Sequence, residues 1–130
     1  MITDIAVTGT RHGMSTLQLD SIELILWRCK EEGAEVFRHG DCPGADVEAA
    51  AIAEKLGYDI IIHPGPKGMG SKANLRHSVL PFLERNRAMV NATQYLLVAP
   101  FKNLQIMRSG TWATFRYALK IGCPYTILSR

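Results

Sequence analysis

The sequence predicts an α/β protein of Rossmann-like, doubly wound type: a mainly parallel five-stranded sheet with helices on both faces. Five short, nearly uninterrupted apolar runs alternate with four segments of helical periodicity, the pattern of strands covered on both sides by crossover helices. Right-handed crossovers leave few topologies for such an alternation. Glycine-bearing loops follow the first, second and fourth runs, and all three fall at the carboxyl edge of the sheet, where open α/β sheets bind ligands. With 130 residues and 47% hydrophobic content, residues 1–130 are expected to form one domain with a substantial core.

The first strand, residues 2–8, carries Ile5-Ala6-Val7 and ends at Gly9. The turn from Gly9 to Gly13 leads to Ser15, which with Gln18 three residues on makes a capping box. Leu19, Ile22, Leu26 and Cys29 form one apolar stripe, and Gly33 stops the helix. Residues 35–38 make the second strand. After the loop His39-Gly40-Asp41-Cys42-Pro43-Gly44-Ala45-Asp46, an alanine-rich helix over 45–56 packs through Ala49, Ile52, Ala53 and Leu56 and stops at Gly57. Residues 58–62, with three consecutive isoleucines, are a third strand, central or near-central in the sheet.

From His63 to about Ser78 the periodicity vanishes among Pro64, Gly65, Pro66, Gly68 and Gly70, which predicts a flexible lid over a site. Its segment 65–72 has only a superficial P-loop look, since Ser71 precedes Lys72 where that motif needs the opposite order. A third helix is expected over 80–92, with Pro81 in its first turn and Leu83, Met89 and Val90 as its apolar stripe. Residues 95–99 form the fourth strand. The last helix carries Trp112, Phe115 and Leu119 at helical spacing and ends near Gly122, before a fifth strand at 125–128.

The formal charge of +3 is spread along the chain. It suits mild attraction of anionic ligands and gives a nucleic-acid groove little support. No apolar run reaches transmembrane length and the N-terminus lacks a signal pattern, so a soluble cytoplasmic protein without membrane contact is expected. Cys29, Cys42 and Cys123 are odd in number and form no CxxC pair. Neither a disulfide framework nor a metal site is expected, and no cluster of residues calls for a cofactor.

The three loops carry the candidate site. Gly9, Thr10 and Arg11 lie in the first. Gly40, Asp41, Gly44, Ala45 and Asp46 lie in the second, whose glycines allow close backbone approach and whose helix opens with free amides and a short carboxylate. Ser109, Gly110 and Thr111 open a helix directly after a buried strand, a combination that fits an oxyanion. Arg85 and Asn86 form a donor pair of the kind that fixes phosphates or sugar hydroxyls. A plain scaffold turn explains any one loop; three converging at one edge favour a nucleotide or phosphorylated-ribose site. The first loop lacks GxGxxG spacing and no ribose-binding acid ends the second strand, which disfavours a nicotinamide dehydrogenase.

Taken in order, Gly9-Thr10-Arg11, the segment Gly40 to Asp46, His63-Pro64, Arg85-Asn86-Arg87-Ala88-Met89 and Ser109-Gly110-Thr111 resemble the SLOG superfamily. These are Rossmann-like domains related to the "lonely guy" phosphoribohydrolases and to the DNA-processing protein DprA, and the match is best to the YspA-type (cpYpsA-related) branch. The stretch from Arg108 to Arg116 is also similar to DprA. The resemblance covers nearly the whole chain. It implies a nucleotide site in which Ser109 to Thr111 hold phosphate, Arg85 and Asn86 brace phosphate or ribose, and Asp46 lies near the sugar; it also implies self-association.

The phosphoribohydrolases follow their glycine-threonine motif with a catalytic glutamate, whereas here Trp112-Ala113-Thr114-Phe115-Arg116 contains no acid. Cleaving an N-glycosidic bond needs a carboxylate to steady oxocarbenium charge or activate water. The expectation is therefore a protein that binds a nucleotide or nucleotide-derived signalling molecule, as a sensor or by sequestering it. The alternative is a nucleotide N-glycosidic hydrolase using Asp46 or Glu84 as its carboxylate. Third comes DprA-like binding of single-stranded DNA, which finds basic residues but few interleaved aromatics.

Overall fold

The computed structural model describes residues 1–105 and 109–130. The elements run β1 (Asp4–Gly9), α1 (Thr16–Glu31), β2 (Val36–His39), α2 (Ala45–Lys55), β3 (Asp59–Ile62), β4 (Leu75–Arg76), α3 (Phe82–Ala92), β5 (Tyr95–Ala99), α4 (Gly110–Ile121) and β6 (Tyr125–Ile127). The strands form one sheet in the order β4-β3-β2-β1-β5-β6, every neighbouring pair parallel.

Strand alternation divides the core between the two faces. Ile5 and Val7 of β1 pack with Phe37, Ile60, Ile62, Ile22 and Leu26 under α1 and α2. Ala6 points the other way and joins Leu96, Val98, Met89, Trp112 and Phe115 under α3 and α4. Each fully buried large aliphatic side chain contributes about 1.5–3 kcal/mol, so this two-sided burial is the main source of stability. The Ser15–Gln18 capping box forms as expected. Gln18 is also wholly buried, and its Nε2 donates to the carbonyls of Pro100 and Leu128, at 2.8 and 3.1 Å, tying α1 to the ends of β5 and β6.

The sheet has six strands where five were expected. The extra one, β4, is a two-residue exposed edge strand, too short and too polar in its surroundings to leave a period-two signal. It pairs Leu75 with Ile61 and Arg76 with Ile62. Asn74 secures it, since its amide donates to the Ile60 carbonyl at 2.8 Å while its Oδ1 accepts from the Ile60 amide at 2.7 Å.

The segment expected to be a flexible lid contains this strand and is tied to the second loop. Asp41 is wholly buried, its Oδ2 accepts from the Gly70 amide at 2.9 Å, and its carbonyl accepts from the Met69 amide at 3.0 Å. Smaller differences follow from packing. Pro81 is the N-cap of α3 and stands outside its first turn. Leu119 is 49% exposed, and Ala118 takes the inner position on α4. β3 is one strand in from the edge, and β2 and β1 are the strands flanked by two or more on either side.

Candidate functional site

From β1 the chain winds outward through β2, β3 and β4, then crosses to β5 on the other side. The crossover direction reverses at the β1/β5 pair, and a cavity of about 380 Å³ opens at the carboxyl ends of these strands. This is the switch-point position where open α/β sheets take ligands.

The first two loops are built around close backbone contacts. Gly9 needs to be glycine because a Cβ there would collide with the Ala45 Cβ and lie 2.9 Å from the Ala99 carbonyl oxygen. Gly44, with φ of 82°, leaves no room beside the carbonyls of Thr10 and Arg11. The Ala45 amide, first in α2, donates to the Thr10 carbonyl at 2.9 Å, so it is not free for a ligand. Asp46 closes the second loop: its Oδ2 accepts from the amides of Gly40 at 2.9 Å and Cys42 at 3.2 Å. Burial pushes the Asp46 carboxyl up to about 6, against those hydrogen bonds and the nearby Arg85 charge, which favour ionisation.

Arg85 lies across the cavity floor, 4% exposed. Its Nη1 donates to the carbonyls of Gly40 at 2.6 Å and His63 at 3.1 Å, its Nε to Asn86 Oδ1 at 2.7 Å, and its Nη2 to Cys42 Sγ at 3.4 Å. Every one of these partners is a neutral group, and the described ion pairs, Arg38–Asp4 and Arg76–Asp41, do not involve it. The buried guanidinium is thus held by hydrogen bonds to neutral groups, and the Asp46 carboxyl in the same cavity is the carboxyl that feels its charge.

Across the cavity, α4 begins with Ser109 as N-cap, its Oγ accepting from the Trp112 amide at 3.4 Å. The amides of Gly110 and Thr111 donate to no described residue, and both residues line the cavity. A helix start of this kind favours an anion. Two partly exposed aromatic rings complete the walls. Phe82 lies between the guanidinium groups of Arg11 and Arg85, at 5.6 and 5.3 Å, while Phe101 contacts the His12 ring at 4.7 Å and the Arg130 guanidinium at 4.8 Å.

The structure thus gathers Gly9, Thr10, Arg11, Gly40, Asp46, Arg85, Asn86, Ser109, Gly110 and Thr111 around one cavity. Gly44, Ala45 and Asp41 shape the second loop without lining it. Asp41, the one non-glycine residue with positive φ (60°) among the described residues, is committed to Gly70, Ser71 and Arg76. Burial would raise its carboxyl, yet the bonds from Ser71 and Gly70 and the neighbouring His39 bring it below its ordinary value. Glu84 is exposed in the first turn of α3 and does not line the cavity. Arg108 lies outside the described residues.

Sequence reasoning did not single out Phe82, Phe101, His12 and Cys42 as cavity residues. An exposed phenylalanine beside a predicted loop edge was the signal available for the first two. Among the described residues, no set of three His, Cys, Asp or Glu side chains is grouped as metal ligands, and no helix is long and apolar enough to cross a membrane.

No protein-family model matches the sequence, and no curated protein does. The fold is shared with solved structures. DNA processing protein A (DprA) from Streptococcus pneumoniae matches at 25% identity and a TM-score of 0.72, over 97% of this chain and 50% of that one. DNA processing protein A from Helicobacter pylori, described for its single-stranded DNA binding mode, matches at 18% identity and 0.68, over 95% and 64%. The molybdenum cofactor carrier protein from Chlamydomonas reinhardtii matches at 21% identity and 0.71, over 98% and 76%. The chain spans half the length of the first of these and under two thirds of the second. The shared fold agrees with the resemblance to SLOG domains that the ordered motifs of the loops carry.

Proposed function

We propose that the protein binds a nucleotide or nucleotide-derived signalling molecule in the switch-point cavity and returns it unchanged, as a sensor or sequestering protein. One observation carries this reading: the buried Arg85 guanidinium, whose hydrogen-bond partners are all neutral groups, shares a cavity with the free amides that open α4. An anion placed there is attracted by the guanidinium and accepts hydrogen bonds from the helix amides. The rings of Phe82 and Phe101 offer apolar faces for a base, and about 380 Å³ is at the small end of ligand sites.

The reading of the site as an N-glycosidic hydrolase rests on Asp46, a cavity carboxyl raised to about 6, in the range suited to general acid–base work. Binding is preferred because Oδ2 of Asp46 is committed to two loop amides and Glu84 lies outside the cavity.

The test incubates the purified protein with nucleoside monophosphates, ADP-ribose and cyclic dinucleotides, reading melting temperature for binding and mass spectrometry for chemistry. A ligand that raises the melting temperature and is recovered intact, with the shift lost in Arg85→Ala and Thr111→Ala, is the expected result. Release of free base and ribose 5-phosphate refutes the pure binder and favours the hydrolase. Absence of any shift or product, together with salt-sensitive binding of single-stranded DNA, favours the third reading. Self-association, implied by the resemblance, is read from the same preparation by sedimentation.

A further inference from the structure

A second concavity, about 330 Å³, opens between α3 and α4 next to the switch-point cavity. Asn86, Arg87 and Leu83 of α3 face Arg116, Tyr117 and Lys120 of α4 across it. Among the described residues, three cations line this groove and no acidic residue does. The two cavities share Asn86. Its Oδ1 accepts from Arg85 Nε at 2.7 Å, and its Nδ2 donates to no described residue, so the amide is oriented at the junction with donors to spare.

Arg87 is ordered in advance. The Arg87 guanidinium rests 5.4 Å over the Tyr117 ring, and the Tyr117 hydroxyl donates to Asn91 Oδ1 at 2.7 Å. Neither Arg87 nor Lys120 belongs to a described ion pair. A preordered cation loses less side-chain entropy when an anion arrives. Spacing then decides what kind of anion suits both cavities. Nine residues of helical rise separate Thr111 from Lys120 by roughly 13 Å along α4, too far for one phosphate to engage the helix start and the far end of the groove together.

We propose that the α3–α4 groove is a second anion subsite, and that the ligand is a phosphodiester-linked dinucleotide. One phosphate sits at the start of α4 and the second between Arg87 and Lys120, with Asn86 donating to the backbone that joins them. This inference rests on the reading of the main cavity as a nucleotide site.

The experiment measures calorimetric affinities of 5′-phosphorylated homodinucleotides and of the corresponding mononucleotides, for the wild-type protein and for Arg87→Gln/Lys120→Gln. Both substituted residues are exposed, and an unchanged melting temperature checks the variant's fold. At least one dinucleotide is expected to bind about ten-fold or more tightly than its mononucleotide, a gain equivalent to about 1.4 kcal/mol. The double variant should lose that gain and keep mononucleotide affinity within about two-fold. A dinucleotide no tighter than its mononucleotide, or a gain that survives in the double variant, overturns the groove and leaves the main cavity standing. Failure of both ligand classes to bind the wild-type protein overturns the two readings together.

Discussion

Asp46→Asn tests whether the second loop is closed by a carboxylate held against its own desolvation. The wild-type carboxyl is raised from 3.8 to about 6, burial being the largest cause. Because the native pKa exceeds the unfolded one, the native state binds more protons between these two values, and stability contributed by this group falls as pH rises through that window. The full difference of roughly two pKa units corresponds to about 3 kcal/mol. Asparagine still offers an oxygen to the Gly40 and Cys42 amides but carries no charge, so the variant lacks this pH dependence. The assay is urea unfolding of both proteins from about pH 4 to about pH 7.5, read as the stability difference at each pH. This comparison cancels His39 and His63, whose pKa values burial lowers to about 4 and about 3 and whose contribution is lost as pH falls. Wild type is expected to lose about 2–3 kcal/mol relative to the variant as pH rises across that range. A difference that stays flat would falsify the account of Asp46 as a buried, strained carboxylate.

Three further predictions concern the scaffold of the site. Gly44→Ala forces a Cβ against the Thr10 and Arg11 carbonyls at a φ of 82°, and a loss of about 2–4 kcal/mol in thermal or chemical unfolding is expected; a loss under half a kcal/mol would contradict that crowding. Gln18→Leu strips donors from the buried Pro100 and Leu128 carbonyls. It should cost about 2–3 kcal/mol while leaving ligand affinity unchanged, because Gln18 does not line the cavity. Asp41→Asn weakens the tie to Gly70, Ser71 and Arg76, and hydrogen exchange at the Gly70 and Ser71 amides should speed up by an order of magnitude or more; unchanged exchange would show that β4 alone holds the segment. Since the native Asp41 carboxyl lies below its ordinary value, its stabilising contribution is present above the unfolded pKa and fades as pH falls through the native one.

The alternation of apolar runs with helical stripes determined the fold class, because a strand buried on both faces must be apolar at successive positions and a crossover helix must carry a stripe. Ile5-Ala6-Val7 and Tyr95 to Ala99 therefore announced the two strands that border the cavity. Glycines at positions 9, 40 and 44 were legible as loop residues for a local reason, since a loop that turns tightly against a neighbour excludes Cβ. The capping box at Ser15 and Gln18 was legible in the same way. Folding alone decided which loop groups stay available. The Ala45 amide, apparently free at a helix start, is consumed by the Thr10 carbonyl, whereas the amides that open α4 donate to no described residue. Asp41 and Asp46 are five residues apart and chemically alike, yet one pins the 70–76 segment and the other closes the cavity wall. Their opposite pKa shifts arise from the hydrogen bonds and dielectric that long-range packing supplies, so residue type and spacing could not distinguish them. β4 escaped notice because its two pairs depend on partners in β3, not on any pattern of its own. The groove between α3 and α4 belongs to the same class: Arg87 and Lys120 lie 33 positions apart and share one wall only because the two helices pack side by side on the same face of the sheet.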